Sequence, residues 1–84
     1  MRPYDLSQHA KDVIDERDIQ LGWLEQVLEW PELVEADVDD PQLRHHVGRI
    51  AECGNRPLRV VFNAEASPVR IVTVYFDRKM KGRM

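Results

Sequence analysis

Two runs constrain this chain more than anything else in it. Pro57-Leu58-Arg59-Val60-Val61-Phe62-Asn63 and Val69-Arg70-Ile71-Val72-Thr73-Val74-Tyr75-Phe76 are dense in β-branched and aromatic side chains, the types that fit a pleated, half-buried surface. Between them stands Ala64-Glu65-Ala66-Ser67-Pro68, a short polar connector closed by a proline, which has no N–H to give to a ladder. The pattern predicts a hairpin of two long antiparallel strands at the centre of a sheet. Counting by twos puts Leu58, Val60 and Phe62 on one face and Arg59, Val61 and Asn63 on the other. In the partner run Val69, Ile71, Thr73 and Tyr75 alternate with Arg70, Val72, Val74 and Phe76. Neither face of that run is wholly polar, so one face is expected under helices and the other only partly wet.

Upstream the apolar period becomes helical. Asp5 or Ser7 can cap a first helix whose buried stripe is Leu6, Ala10, Val13 and Ile14. His9 and Glu16 share a flank of it, and Arg17 closes it, where a cation suits the helix dipole. After the link Asp18-Ile19-Gln20, a second helix is predicted over Leu21–Glu29, ended by Pro31. Leu21, Leu24, Val27 and Leu28 form its stripe, with Trp23 and Trp30 at the edge of the core. Leu33–Val38 reads as a short edge strand whose acids discourage edge pairing, and Asp39-Asp40-Pro41 as a turn. His45–Glu52 is the next strand, and Cys53–Arg56 turns it into the hairpin through Gly54 and Asn55, which tolerate positive φ. The fold class is therefore α+β, with two N-terminal helices packed on one face of a mostly antiparallel sheet of about four strands. It is read as a single domain over 1–84, with a core from about 5 to 78 and a basic tail, 79–84, loose at its end.

The formal net charge of −3 conceals an imbalance: residues 1–43 carry 3 basic and 12 acidic side chains, residues 44–84 carry 9 and 3. Such asymmetry marks either a polyanion-binding half beside an acidic one or two halves that neutralise each other within one small fold. A chain of 84 residues buries only about 60–65% of its unfolded surface, which leaves little room for an internal cofactor pocket. No run approaches the roughly 18 apolar residues of a membrane span, and no apolar leader is visible at the start. Cys53 is the single cysteine, so no internal disulfide forms, and a reducing, cytoplasmic setting is expected.

Candidate chemistry narrows quickly. His9, His45, His46 and Cys53 have no zinc-motif spacing, and adjacent strand residues such as His45 and His46 point to opposite faces, so no metal site is expected. Glycine-rich phosphate loops and G-x-S-x-G elbows are missing from the sequence, and no cofactor is expected. Cys53, in a turn without a helix N-terminus to activate it, reads as a bystander. Acid–base work on RNA asks for less: a proton acceptor, a proton donor and cations for the phosphate. His9, Glu16 and Arg17 on one helical flank can meet Arg59, Tyr75 and Arg78 from the sheet. The structural alternative for each is a solvated helix end, a snorkelling arginine or a core tyrosine.

These residues carry a resemblance. Ser7-x-His9-Ala10, Glu16-Arg17-x-Ile19, a second helix ending before Pro31, Leu58-Arg59-Val60-Val61 and Val72-Thr73-Val74-Tyr75 are similar to a small bacterial domain-of-unknown-function family related to the BrnT and RelE/ParE toxin superfamily. The similarity covers roughly residues 5 to 78. It implies a compact helix–helix–sheet fold and a toxin that cleaves mRNA, often on the ribosome, silenced by a cognate antitoxin; a homodimer is a further assembly to consider. Carried over by residue, His9 becomes the proton-transfer group, Arg17, Arg59 and Arg78 the phosphate clamps, and Tyr75 a stacking or proton-donating partner. RelE-type ribonucleases are usually basic, and this chain is acidic. The reading that stands beside the toxin is a non-catalytic protein-interaction module of the same fold.

Overall fold

A computed structural model describes residues 3–80 and 82–83 of the chain. The elements in order are β1 (Tyr4–Leu6), α1 (Gln8–Glu16), α2 (Leu21–Glu29), β2 (Leu33–Ala36), β3 (Leu43–Ile50), β4 (Arg56–Asn63) and β5 (Val69–Phe76), with 3-10 turns at Ala51–Cys53 and Arg78–Met80. The α+β class stands, with both helices on one face. The sheet has five strands rather than about four, in the order β1-β5-β4-β3-β2. β4, the first strand of the predicted hairpin, is the middle strand and is antiparallel to both neighbours.

The added strand is β1, which pairs parallel to β5 through Tyr4, Asp5 and Leu6 opposite Val69, Arg70 and Ile71. Asp5 therefore lies in a strand, and the helix cap is Ser7 alone: its Oγ accepts from Ala10 N–H at 3.0 Å and donates to Val72 O at 2.9 Å. Ser7 N–H bonds Ile71 O at 2.9 Å, so this one residue ends the strand and starts the helix. The link between the helices is equally defined. Ile19 N–H reaches Ile14 O at 3.0 Å and Asp18 N–H reaches Asp15 O at 3.4 Å, while Asp18 adopts φ +51°; this is a Schellman ending with an aspartate where glycine is usual. The turn into β4 places Gly54 and Asn55 at φ +66° and +61°, as their tolerance of that region predicts.

Leu58, Val60, Phe62, Ile71 and Val74 from the sheet meet Ala10, Leu24, Val27 and Leu28 from the helices in one core. Strict alternation in β5 breaks at a bulge: Val61 faces Thr73 while Phe62 faces Ile71. Ile71 and Val74 therefore share the buried face although they are three apart, and Thr73 joins Val61 on the other. Gly48 lies under α2, where an added Cβ would stand 3.2 Å from Val27 Cγ2. Trp23 packs edge-on against Phe76 at 6.1 Å and donates from Nε1 to Glu52 at 2.8 Å. Trp30, expected beside the core, is 76% exposed, because it follows the last helical residue and leaves the stripe.

The face away from the helices is only partly wet, as expected. Val47, Val61 and Met80 are buried without belonging to the helix-side core, and the Arg78–Met80 turn packs against β4. Lys79 and Met80, which begin the basic tail, belong to this packed turn; Lys81 and Met84 of that tail lie outside the described residues. No helix among the described residues is long and apolar enough to cross a membrane.

Two stability outcomes follow from these contacts. Ser7→Ala removes the cap and is expected to lower the unfolding free energy by about 1 kcal/mol in urea titrations. Tyr4 donates its hydroxyl to Glu25 at 2.7 Å; burial first, then that carboxylate, pushes its pKa from 10 up to about 12. A raised folded-state pKa gives stability that is complete below pH 10 and lost as pH climbs toward 12. Across that window the wild type should lose stability more steeply than Tyr4→Phe.

Candidate functional site

α1 crosses beside β5, and between them runs a groove of about 450 Å³. β1 pairs with β5 only at Val69–Ile71, so the following stretch of β5 has no strand along that edge. His9, Val13, Glu16 and Arg17, on successive turns of α1, form one wall. Thr73 to Phe76 of β5 form the other, and Arg56 and Arg78 close the end. His9, Arg17 and Arg78 are exposed at the residue level, and Tyr75 is 40% exposed. Four of the five residues singled out from the sequence, His9, Arg17, Tyr75 and Arg78, therefore line one groove. Glu16 lines it with them.

Arg59 does not. It sits opposite Tyr75 on the adjacent strand but is 8% exposed and committed elsewhere. Its Nε donates to Asp77 at 2.8 Å, and one Nη donates to Glu35 at 3.0 Å and to His45 Nδ1 at 2.9 Å. A guanidinium can only donate, so Nδ1 carries the lone pair. The proton of His45 is then on Nε2, which lies 2.7 Å from Asp37 Oδ1. Burial works to raise the pKa of Asp77, but the bonds from Arg59 and from Lys79 N–H outweigh it and hold that carboxyl below its usual range. Burial likewise works to lower the pKa of Arg59, and its carboxylate partners carry it higher instead. Asp37 is held low by His45 first and then by the N–H groups of Asp40 and Asp39. This is a structural polar network, and sequence reasoning missed it: partners 14, 18 and 24 residues away leave no local pattern.

The groove cations differ from Arg59. Arg49 is held by Glu32 at 2.7 Å, yet Arg17 and Arg78 make no ion pair among the described residues. Arg56, read from the sequence as a turn residue, begins β4 and lies over the Phe76 ring, 4.3 Å from its centroid. His46 faces the helices, with Nδ1 3.0 Å from Leu28 O and its ring edge-on to Phe62 at 4.7 Å. His45 and His46 thus point to opposite faces. Among the described residues no three His, Cys, Asp or Glu side chains form a group that could hold a metal ion.

The division between Arg59 and the groove arginines can be measured. Arg59→Ala leaves the half-buried Asp77 carboxylate without its partner and should cost about 1–3 kcal/mol in chemical denaturation. Arg17→Ala and Arg78→Ala should stay within about 0.5 kcal/mol of wild type. A lowered carboxyl pKa gives stability that is present above the ordinary carboxylate range and lost as pH falls through the folded value. Arg59→Ala should therefore also flatten the acid limb of the stability curve.

A family model described as Domain of unknown function (DUF4258) matches residues 6–76. No curated protein and no solved structure matches the chain.

Proposed function

The chain belongs to that family of domains of unknown function, and from this premise we propose that its α1–β5 groove binds and cleaves RNA without a metal ion, as the toxin of a toxin–antitoxin pair. The reading is supported above all by the convergence of His9, Arg17, Tyr75 and Arg78 on one groove, with Arg17 and Arg78 in no ion pair among the described residues. In this scheme His9 takes the proton of a ribose 2′-hydroxyl, whose oxygen attacks the adjacent phosphorus. The O2′–P bond forms as the P–O5′ bond breaks, and the Tyr75 phenol gives its proton to the departing 5′-oxygen. Arg17 and Arg78 hold the phosphoryl oxygens as charge builds on them. The products are a 2′,3′-cyclic phosphate and a 5′-hydroxyl. In the same scheme Glu16, which lines the groove, shares in the proton transfer, and Arg59 supports the sheet behind Tyr75 rather than touching the substrate. mRNA, free or on the ribosome, is the target this reading implies, and a cognate antitoxin its partner.

A non-catalytic interaction module draws support from a different place. Trp30, Val34 and Val38 are 76%, 55% and 95% exposed near the acidic β2 edge, an apolar set suited to a basic amphipathic partner.

The deciding test is end-labelled RNA incubated with purified protein and a chelator, with and without ribosomes. Wild type is expected to leave 2′,3′-cyclic phosphate ends, to fail on a strand with 2′-deoxyribose at the scissile position, and to lose about 100-fold or more of its rate in His9→Ala. Folded wild type that cuts no RNA under either condition, and arrests no growth on induction, would remove the toxin reading and leave the interaction module.

A further inference from the structure

The α1–β5 groove does not stop at Arg78. A second hollow of about 470 Å³ adjoins it, and the two share Arg56, Phe76 and Arg78. The ring of Phe76 stands at the junction with the Arg56 guanidinium laid over it at 4.3 Å, and Arg56 is exposed. The β4–β5 ladder explains why two arginines meet there. Leu58 faces Phe76 and Asp77 N–H bonds Pro57 O at 2.9 Å, a register that carries Arg56 to the level of Arg78. Two cations lining one hollow attract an anion. The one carboxylate lining this hollow, Asp77, is already used: Oδ2 accepts from Arg59 at 2.8 Å and Oδ1 from Lys79 N–H at 3.0 Å. Neither Arg56 nor Arg78 has a carboxylate partner among the described residues.

We infer that this second hollow is a nucleotide subsite for single-stranded RNA, in which Arg56 holds a phosphate one step along from the scissile one, Arg78 stands between the two phosphates, and the Arg56–Phe76 pair carries a base. The inference rests on the reading of the first groove as an RNA site and names what that site must grip: a strand running past Phe76, longer than a dinucleotide. A planar guanidinium stacked on an aromatic ring presents a second flat face to a base, and such stacking is tolerant of sequence. The charge of the pair adds a backbone contact that salt weakens.

The test uses fluorescent 2′-O-methyl oligonucleotides, which cannot form the 2′-oxyanion, of two and four nucleotides, with affinity read by anisotropy at several salt concentrations. On the 84-residue chain the tetranucleotide should bind about tenfold or more tightly than the dinucleotide. Arg56→Ala should erase most of that gain, weakening the tetranucleotide several-fold more than the dinucleotide. It should also make the slope of log K against log salt shallower by about 0.7, the signature of one lost phosphate contact on a single strand. Arg56→Lys keeps the charge without the flat stack, so it should restore the salt slope but not the affinity. Circular dichroism controls for folding, and Phe76→Leu provides a second variant that keeps an apolar side chain under Trp23. Equal affinity for both lengths, equal weakening of both by Arg56→Ala, or preference for an acidic peptide over every oligonucleotide overturns the subsite. Length-dependent binding by a protein that cuts no RNA keeps the subsite and removes the cleavage. RNA cutting with no length dependence does the reverse.

Discussion

A guanidinium buried in the middle strand of a sheet has to find carboxylates, because an uncompensated buried charge is worth several kcal/mol against folding. Arg59 is that group in this protein. Its donors reach Asp77 just past β5, Glu35 on β2 and His45 on β3, so one side chain ties its own strand to three others. The network continues outward in both directions. His45 passes to Asp37, whose other oxygen accepts the N–H groups of Asp39 and Asp40 at 3.1 and 2.9 Å. Asp77 passes to the closing turn through Lys79 N–H. The β2–β3 turn and the C-terminal turn are thus fixed relative to the same strand. Each member leaves the next unsatisfied if it is removed, which makes such networks cooperative.

This arrangement sorts the basic residues of the second half of the chain. Arg59 and Arg49 are matched to acids of the first half, Glu35 and Glu32, so part of the charge imbalance is simply neutralised across the sheet. Arg56 and Arg78, with Arg17 from the first half, are left around the groove. By holding Asp77 and drawing off its charge, Arg59 also keeps the wall of the second hollow from repelling an anion. A domain with net negative charge can in this way present a locally cationic surface, and long-range steering and short-range grip then have opposite signs. Binding of a polyanion at this groove depends on the short-range part, which favours a ligand that also offers a base to stack.

How much of this was legible in the sequence depends on how local the cause is. The hairpin, both helices and the turn at Gly54-Asn55 follow from periodicity and from residues whose backbone preferences are intrinsic. β1 does not, since a three-residue strand has no period to read, and Asp5 competes with Ser7 as a cap. The bulge in β5 hides in a run where Val72, Thr73 and Val74 suit either face. Asp18 in the left-handed region gives no signal because glycine is the usual choice there. His9, Arg17, Tyr75 and Arg78 could be singled out by chemistry and helix spacing, but nothing local separates them from Arg59, whose alternation position is the same whether it faces water or carboxylates. Arg56 was recoverable: extending the hairpin register past Pro57 places it level with Arg78.

The existence of the groove traces to Ser7. A first strand continuing beside β5 would take up the edge where α1 now stands off. Ser7 prevents this by spending its N–H and its hydroxyl on two successive β5 carbonyls, Ile71 and Val72, while its oxygen caps α1. The chain leaves the sheet after three residues and returns as a helix, which sets His9 two residues after the turning point and Arg17 at the other end of the same wall. The bulge in β5 falls at the same level and directs Thr73 and Tyr75 to the far face, from which they line the groove across the β5 edge that β1 leaves open, while Val74 and Phe76 stay with the core. An irregular exit and an irregular strand therefore coincide where the candidate residues gather, the kind of local departure from regular pairing that proteins concentrate at sites of function.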